Sequence, residues 1–359
     1  VETKNCPLNL MQKYYTRACN FYFGKNSLKK VKKNLSLPLG GNKSISFDTI
    51  EIITRTNRRK LNIKQLNHLP INLKKKVLID LKNICRVKKI KKLNLKNIPL
   101  LMGILNLTPD SFSDGGKYNE INASKSQINK LIRSGANIID VGGESTRPGS
   151  KDVNPKNEWN RVKETLKYLN KKKIFISLDT RKTYVMRKAS SYKLDLINDV
   201  SGLSYDKNVF KFLKQTNLPF VIHHMKGTPK NMQINPSYKN VLLDIYDFFE
   251  RKLKKLRKYG IRHNQILIDP GIGFGKNLKH NITLIKKISI FHSLGFPILL
   301  GVSRKRFIKE ISGVNESKNR LGGTLSSSIY SLMQGVQIIR VHDVNEINQG
   351  LKVFKKIYN

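Results

Sequence analysis

Eight short apolar, β-rich runs, separated by amphipathic stretches and ending in polar or glycine residues, predict an α/β protein built as a (β/α)8 TIM barrel behind a small basic N-terminal region. The runs span residues 100–106, 138–144, 175–180, 196–200, 220–225, 266–271, 298–303 and 336–342. Continuous apolar strands alternating with helices imply a parallel sheet covered by helices. Eight such units in about 260 residues match the count and size of a barrel, whereas the alternative, an open doubly wound sheet, usually has fewer strands.

Residues 1–98 follow a different grammar. They are rich in lysine, and Glu2, Asp48, Glu51 and Asp80 are their only carboxylates. Ile45, Phe47, Ile50 and Ile52 hint at a strand, residues 73–81 fit a short helix, and residues 86–96 fit a basic linker. Nothing here suggests catalysis, so the expectation is an appended domain or partly ordered arm, with a targeting peptide as the lesser alternative. The division expected is therefore 1–98 as extension and 99–359 as catalytic barrel. Cys6, Cys19 and Cys85 have no CxxC partner and no nearby histidine at ligand spacing, which argues against a disulfide framework or zinc site. No apolar run is long enough to cross a bilayer. A cytoplasmic protein without membrane partners is expected.

The formal net charge is +45. Such an excess can signal nucleic-acid binding. Here it comes nearly all from lysine, spread along the chain with abundant asparagine and isoleucine, as an A/T-rich genome would produce. Clustered basic residues with interleaved aromatics are lacking, so nucleic acid is not expected as a partner. Anionic small molecules would still be drawn to this surface.

Taken in order, the strands end in chemistry. The first closes on Asn106 and runs into Thr108-Pro109-Asp110-Ser111-Phe112-Ser113-Asp114. The second runs into Gly142-Gly143-Glu144-Ser145-Thr146-Arg147-Pro148-Gly149. The third gives Asp179-Thr180-Arg181, the fourth Asn198-Asp199 and the fifth His223-His224-Met225. The sixth leads into Asp269-Pro270-Gly271-Ile272-Gly273-Phe274-Gly275, the seventh into Ser303-Arg304-Lys305, and the eighth carries Arg340-Val341-His342-Asp343. A single polar residue at a strand end can be a cap or a satisfied core group. Polar residues at all eight predict that a ligand or water satisfies many of them at the C-terminal mouth, since each would cost roughly 1–3 kcal/mol if buried unpaired. Asp179, Asn198 and Asp269 suit a flat heterocycle with amino and ring N–H donors, and Lys305 can meet a ring carbonyl or nitrogen. Arg340 and His342 alternate onto one face and can grip an anion. Asn106 offers a neutral oxygen of the kind magnesium accepts beside a phosphate. One of His223 and His224 is expected to be a hydrogen-bonded core group, and Thr180 and Ser303 are expected to be structural.

These segments resemble the dihydropteroate synthases. The carriers are Met102-Gly103-Ile104-Leu105-Asn106-Leu107-Thr108-Pro109-Asp110, the Gly142–Gly149 stretch quoted above, and the later DPGxGFGK, SRK and RVHD stretches in the same order; the resemblance covers about residues 99–359. The N-terminal region resembles, more weakly, the extension on some alphaproteobacterial members. The resemblance implies condensation of 6-hydroxymethyl-7,8-dihydropterin diphosphate with 4-aminobenzoate to give 7,8-dihydropteroate and diphosphate. It implies Asp179, Asn198, Met225, Asp269 and Lys305 around the pterin, and Asn106, Arg340 and His342 on the diphosphate, with Mg²⁺ at Asn106. It further implies Thr146, Arg147, Pro148 and Phe274 around 4-aminobenzoate, Asp114 closing over the reacting carbon, and a homodimer. Asp114, Lys305, Arg340 and His342 are thus the expected catalytic groups. Two departures stand out: Ile272 where many members carry an aromatic, and Arg306 where many carry serine.

A methyltetrahydrofolate:corrinoid methyltransferase-type barrel is the nearest rival. It would share the Asp/Asn grip but lack the TRPG loop, SRK and RVH, all of which are present. An inactive scaffold would have lost site residues, and the principal ones are here.

Overall fold

The computed structural model describes residues 12–108, 117–145, 149–150, 152–229 and 231–358. The chain divides into two compact units: the described residues up to Val87 together with Ser289–Gly295, and Lys88–Ile288 with Phe296 onward.

The first unit is built on antiparallel strands β1 (Tyr15–Phe23), β2 (Leu37–Leu39), β3 (Asn42–Ile53) and β4 (Arg58–Asn62), with helices α1 (Gly24–Lys32) and α2 (Ile71–Cys85). Strand β3 pairs with all three others. Tyr15, Phe47, Ile50, Val77 and Ile84 are fully buried and form its core. The strand expected around residues 45–52 is the long β3, and the helix expected at 73–81 is α2, extended at both ends. Lysine-rich α1, polar β4 and β1, whose apolar residues do not alternate, carry too little apolar periodicity to be read from sequence. The three carboxylates described here are all buried and paired internally. Thr16 donates to Asp80 at 2.7 Å, Arg17 to Glu51 at 2.7 Å, and Tyr22 to Asp48 at 2.6 Å. The segment Ser289–Gly295 belongs to this unit through its own bonds: Ser289 Oγ donates to the Ala18 carbonyl at 2.9 Å, and Asn83 Nδ2 donates to the Ser293 carbonyl at 3.1 Å.

The second unit is the barrel. Its eight parallel strands are β5 (Leu100–Asn106), β6 (Ile138–Gly142), β7 (Phe175–Asp179), β8 (Leu196–Asp199), β9 (Phe220–His223), β10 (Ile266–Asp269), β11 (Leu299–Leu300) and β12 (Ile338–Val341). They run in chain order around the sheet, with β12 pairing β5 and a parallel bridge Ile268↔Ile298 joining β10 to the residue before β11. The expected (β/α)8 architecture is therefore the one observed. From β6 onward the strands end earlier than the apolar runs, because the last polar and glycine residues of those runs pass into the loops. Strand β11 is the extreme case, two residues out of an expected six, since its run passes into the Ser303 turn.

Amphipathic helices cover the outside. In the helix Val241–Lys258, Leu242, Ile245, Phe249, Leu253 and Leu256 form the buried stripe that their spacing predicts. The N-terminal end of the barrel is closed by Ile90 and Leu93, which pack with Leu100, Met102, Ile138, Leu196, Val221, Leu267, Leu299 and Ile338. The stretch expected to be a basic linker thus carries two apolar residues that plug the barrel floor. Among the described residues, no helix is long and apolar enough to cross a membrane.

Candidate active site

At the opposite end, the strands raise polar side chains into one buried cluster. Neighbouring strands place Asn106, Gly142, Asp179 and Asn198 in successive register pairs, and Asp269 opposite His223. One turn deeper, Asp140 of β6 is fully buried. Its Oδ2 accepts both Arg340 Nε at 2.6 Å and Asn198 Nδ2 at 2.9 Å. Arg340 Nη2 donates to Asp179 Oδ2 at 2.7 Å. Asn198 Oδ1 meets His223 Nε2 at 2.8 Å. A hydrogen-bonded chain therefore runs Asp179–Arg340–Asp140–Asn198–His223 through five strands.

Burial sets the electrostatics of this chain. Two carboxyl groups share one guanidinium, and burial together with the nearby Asp140 charge pushes the Asp179 carboxyl up despite Arg340. Burial alone would lower Arg340, but Asp140 and Asp179 outweigh it and keep the guanidinium charged. Asp269 is pushed up to about 6 by burial, although the Gly271 amide donates to its Oδ1 at 2.7 Å. Burial, reinforced by Arg340, lowers Lys305 to about 8. The Lys305 ammonium sits 4.2 Å from the centre of the Phe274 ring, and Phe274 meets His223 edge-on. Burial also holds His223 well below the ordinary imidazole range, so its ring is neutral.

The loop after β10 is shaped by backbone conformation. Gly271 has φ +70°, and a Cβ there would lie 2.1 Å from the His224 carbonyl oxygen. Only glycine fits, so Gly271 fixes the turn by which the chain leaves β10. Lys276, fully desolvated and lowered to about 7, donates to the carbonyls of Phe274 and His224 at 2.8 and 3.2 Å and holds this loop from behind.

On the last strands, Ser303 Oγ accepts the His342 amide at 3.2 Å and faces His342 Nδ1 at 3.0 Å. Ser303 thus holds His342 at two points, through the backbone amide and through the ring. Arg304 turns away and forms a two-point pair with Asp343. Arg306 points outward to Glu310 at 2.7 Å, its side chain 70% exposed, so this departure from the family pattern lies away from the cluster. Ile272 is buried.

The loop after β6 is anchored by a second buried cluster. Lys182 Nζ lies 2.9 Å from Glu144, 3.1 Å from Asp152 and 2.8 Å from Glu158. Glu144 also pairs with Arg181 at 3.1 Å and accepts the Val153 amide at 2.9 Å. These bonds clamp both ends of the segment that carries Thr146, Arg147 and Pro148.

The residues expected from sequence thus divide into groups. Asp179, Asn198, Asp269, Lys305, Phe274 and Arg340 come together, and Asn106 and His342 stand on the adjoining strand ends. Met225 lies two residues past His223, beyond the end of β9, and is half-buried. Asp114, Thr146, Arg147 and Pro148 lie outside the described residues. Sequence reasoning missed Asp140, which sits inside an apolar run, and it did not distinguish His223 from His224. The signal available for Asp140 was its position two residues before Gly142, on the same face of the strand. His224 turns out to be the core histidine, its ring edge-on to Phe248 and its Nδ1 3.1 Å from Lys276.

A family model described as "Pterin binding enzyme" matches residues 102–342. The dihydropteroate synthase of Escherichia coli (strain K12) is 41% identical over 256 residues, covering 71% of this chain and 90% of the relative. The dihydropteroate synthase of Neisseria meningitidis serogroup B is 40% identical over 264 residues, covering 72% and 93%. Among solved structures, the Yersinia pestis dihydropteroate synthase with a sulfonamide drug complex superposes with a TM-score of 0.69 at 38% identity, covering 74% of this chain and 96% of that one. The Xanthomonas albilineans dihydropteroate synthase in complex with 7,8-dihydropteroate superposes with a TM-score of 0.67 at 31% identity, covering 74% and 95%.

Proposed function

The chain belongs to the pterin-binding enzymes and, among them, to the dihydropteroate synthases, and on that premise we propose how its own side chains carry the reaction. The enzyme is a transferase of folate biosynthesis that joins 6-hydroxymethyl-7,8-dihydropterin diphosphate to 4-aminobenzoate. The bond from the pterin CH₂ to the diphosphate oxygen breaks, the arylamine nitrogen attacks that carbon, and its proton is lost as 7,8-dihydropteroate forms.

The observation that carries the assignment of roles is the buried chain Asp179–Arg340–Asp140–Asn198–His223, with Asp269 and Lys305 beside it. Asp179, Asn198 and Asp269 present acceptors to the pterin donors, and Lys305 presents its ammonium to the ring carbonyl or nitrogen. Met225 packs at the edge of the ring. Arg340 and His342 neutralise the departing diphosphate, where charge grows in the transition state. No activated side-chain nucleophile is required, because the substrate amine supplies the electron pair. The loop bearing Thr146, Arg147 and Pro148, clamped by the Glu144–Lys182 cluster, would hold 4-aminobenzoate against Phe274. Asp114 would place negative charge beside the cationic CH₂, and closure of its loop would exclude water.

Magnesium is proposed as the cofactor. Asn106 is the residue that would hold it, and the lack of a Cβ at Gly142 leaves open space between Asn106 Oδ1 and Asp179. One neutral oxygen suits an ion that takes its other ligands from phosphate and water. When bound, the ion supplies charge neutralisation to the leaving group. A cytoplasmic homodimer remains our expectation for the working form.

The direct test mixes purified protein, the pterin diphosphate, Mg²⁺ and labelled 4-aminobenzoate. Labelled dihydropteroate is expected; a folded protein that yields none would overturn the reading.

A further inference from the structure

His223 emerges from the structure with a function that its sequence does not announce. Its ring is buried, and its Nε2 faces Asn198 Oδ1 at 2.8 Å. The orientation of Asn198 is fixed from the other side, because its Nδ2 donates to the Asp140 carboxylate at 2.9 Å. The oxygen must therefore point at His223, and Nε2 must carry the ring proton. In a neutral imidazole this leaves Nδ1 as a bare acceptor. That Nδ1 has no hydrogen-bond partner among the described residues and lies 3.5 Å from Asp269 Oδ2. Two acceptors are thus held side by side in a buried site without a donor between them. Buried acceptors are almost always paired, so the arrangement is complementary to a ligand edge with two adjacent donors. An exocyclic amino group beside a ring N–H is such an edge.

We propose that His223 is a specificity-determining residue of the pterin site, its Nδ1 acting with Asp269 Oδ2 to receive the amino and ring N–H edge of the heterocycle. The proposal rests on the reading of Asp269 and Asn198 as pterin ligands. Through the Asp140–Asn198–His223 bonds, the tautomer that exposes Nδ1 is set by a carboxylate three strands away in the sheet. The selectivity is then for 2-amino heterocycles over their 2-oxo counterparts, because an oxo group would bring a third acceptor against two.

The test is equilibrium binding of two probes, 6-hydroxymethylpterin and its 2-oxo (lumazine) analogue, to the wild-type protein and to His223→Leu, His223→Gln and Asp269→Asn. Loss of one well-placed hydrogen bond in a buried site predicts a roughly 10- to 100-fold weaker Kd for the amino probe with His223→Leu. The oxo probe should change less than about threefold, so that discrimination between the probes collapses. His223→Gln, which can donate to Asn198 and still present an oxygen, should restore part of the discrimination, and it takes over the test if the leucine variant does not fold. Equal weakening of both probes would show that His223 only positions Asn198, and unchanged affinities would show that it has no role; either overturns the proposal. If Asp269→Asn binds both probes like wild type, the pterin assignment itself fails. If Asp269→Asn weakens binding while His223→Leu does not, only the histidine proposal fails.

Discussion

Asp140 offers the sharpest test of the buried chain, because it touches no expected substrate group and acts only through what it holds. Its Oδ2 accepts two bonds, from Arg340 Nε at 2.6 Å and Asn198 Nδ2 at 2.9 Å. Asp140→Ala removes the acceptor of both bonds and leaves a buried guanidinium N–H and a buried amide N–H unpaired. At roughly 1–3 kcal/mol for each, the loss is about 2–6 kcal/mol. If most of it falls on the bound state, through a loosened Arg340 and a freely turning Asn198, kcat/KM for the pterin diphosphate should drop by about 10²- to 10⁴-fold. Asp140→Asn behaves differently. Its Oδ1 can take the place of Oδ2 and accept both bonds, while its amide nitrogen takes the place of Asp140 Oδ1, which has no partner among the described residues. Only the charge assistance is lost, worth about 1–2 kcal/mol, so a fall of about tenfold is expected. The assay is steady-state kinetics with both substrates varied. KM for 4-aminobenzoate should move little in either variant. An alanine variant with near-wild-type kcat/KM would refute the positioning role; an asparagine variant as damaged as the alanine one would show that charge, not acceptor geometry, is what Asp140 contributes.

Three further outcomes follow from other parts of the molecule. Asp269 is pushed up to about 6 by burial, and only its ionised form accepts pterin donors, so kcat/KM for the pterin substrate should rise as pH increases through about 6. The same raised value means that its contribution to folding stability is present in acid, below the unfolded value of 3.8, and fades as pH rises through about 6. A pH–rate profile checks the first point, and Asp269→Asn, expected to lose on the order of 10²-fold in kcat/KM, should lack that limb. Lys182→Met should destabilise by about 3–5 kcal/mol in denaturant unfolding, since it leaves Glu158 buried without its cation and leaves Glu144 with Arg181 alone; a change below 1 kcal/mol would contradict the clamp. Arg306→Ala should leave kcat and both KM values within about twofold and stability within about 0.5 kcal/mol, because the side chain pairs with Glu310 at the surface; a large rise in KM for 4-aminobenzoate would show that it reaches the pocket.

The barrel was legible because burial on both faces forces its strands to be continuous apolar runs, and because helices such as Val241–Lys258 write their buried face at 3.6-residue spacing. Motif order was legible too, since Asn106, Asp179, Asn198, Asp269, Lys305 and Arg340 each stand at the end of such a run. The N-terminal unit was mostly opaque. Its strands mix polar and apolar residues without a clean alternation, and its few carboxylates are consumed by partners far away in sequence, as Asp80 is by Thr16, 64 residues apart.

What the sequence determined by itself was therefore the architecture, the end of the barrel that carries chemistry, and the kinds of groups found there. Tertiary structure alone decided which of these groups touch. Asp140 and Arg340 are 200 residues apart, and no local pattern links them. Of two adjacent histidines, strand alternation could say only that one faces inward. The pairing of Asn198 with Asp140 is what fixes which nitrogen of His223 keeps its proton, because a hydrogen bond has a direction that only a three-dimensional neighbour can set.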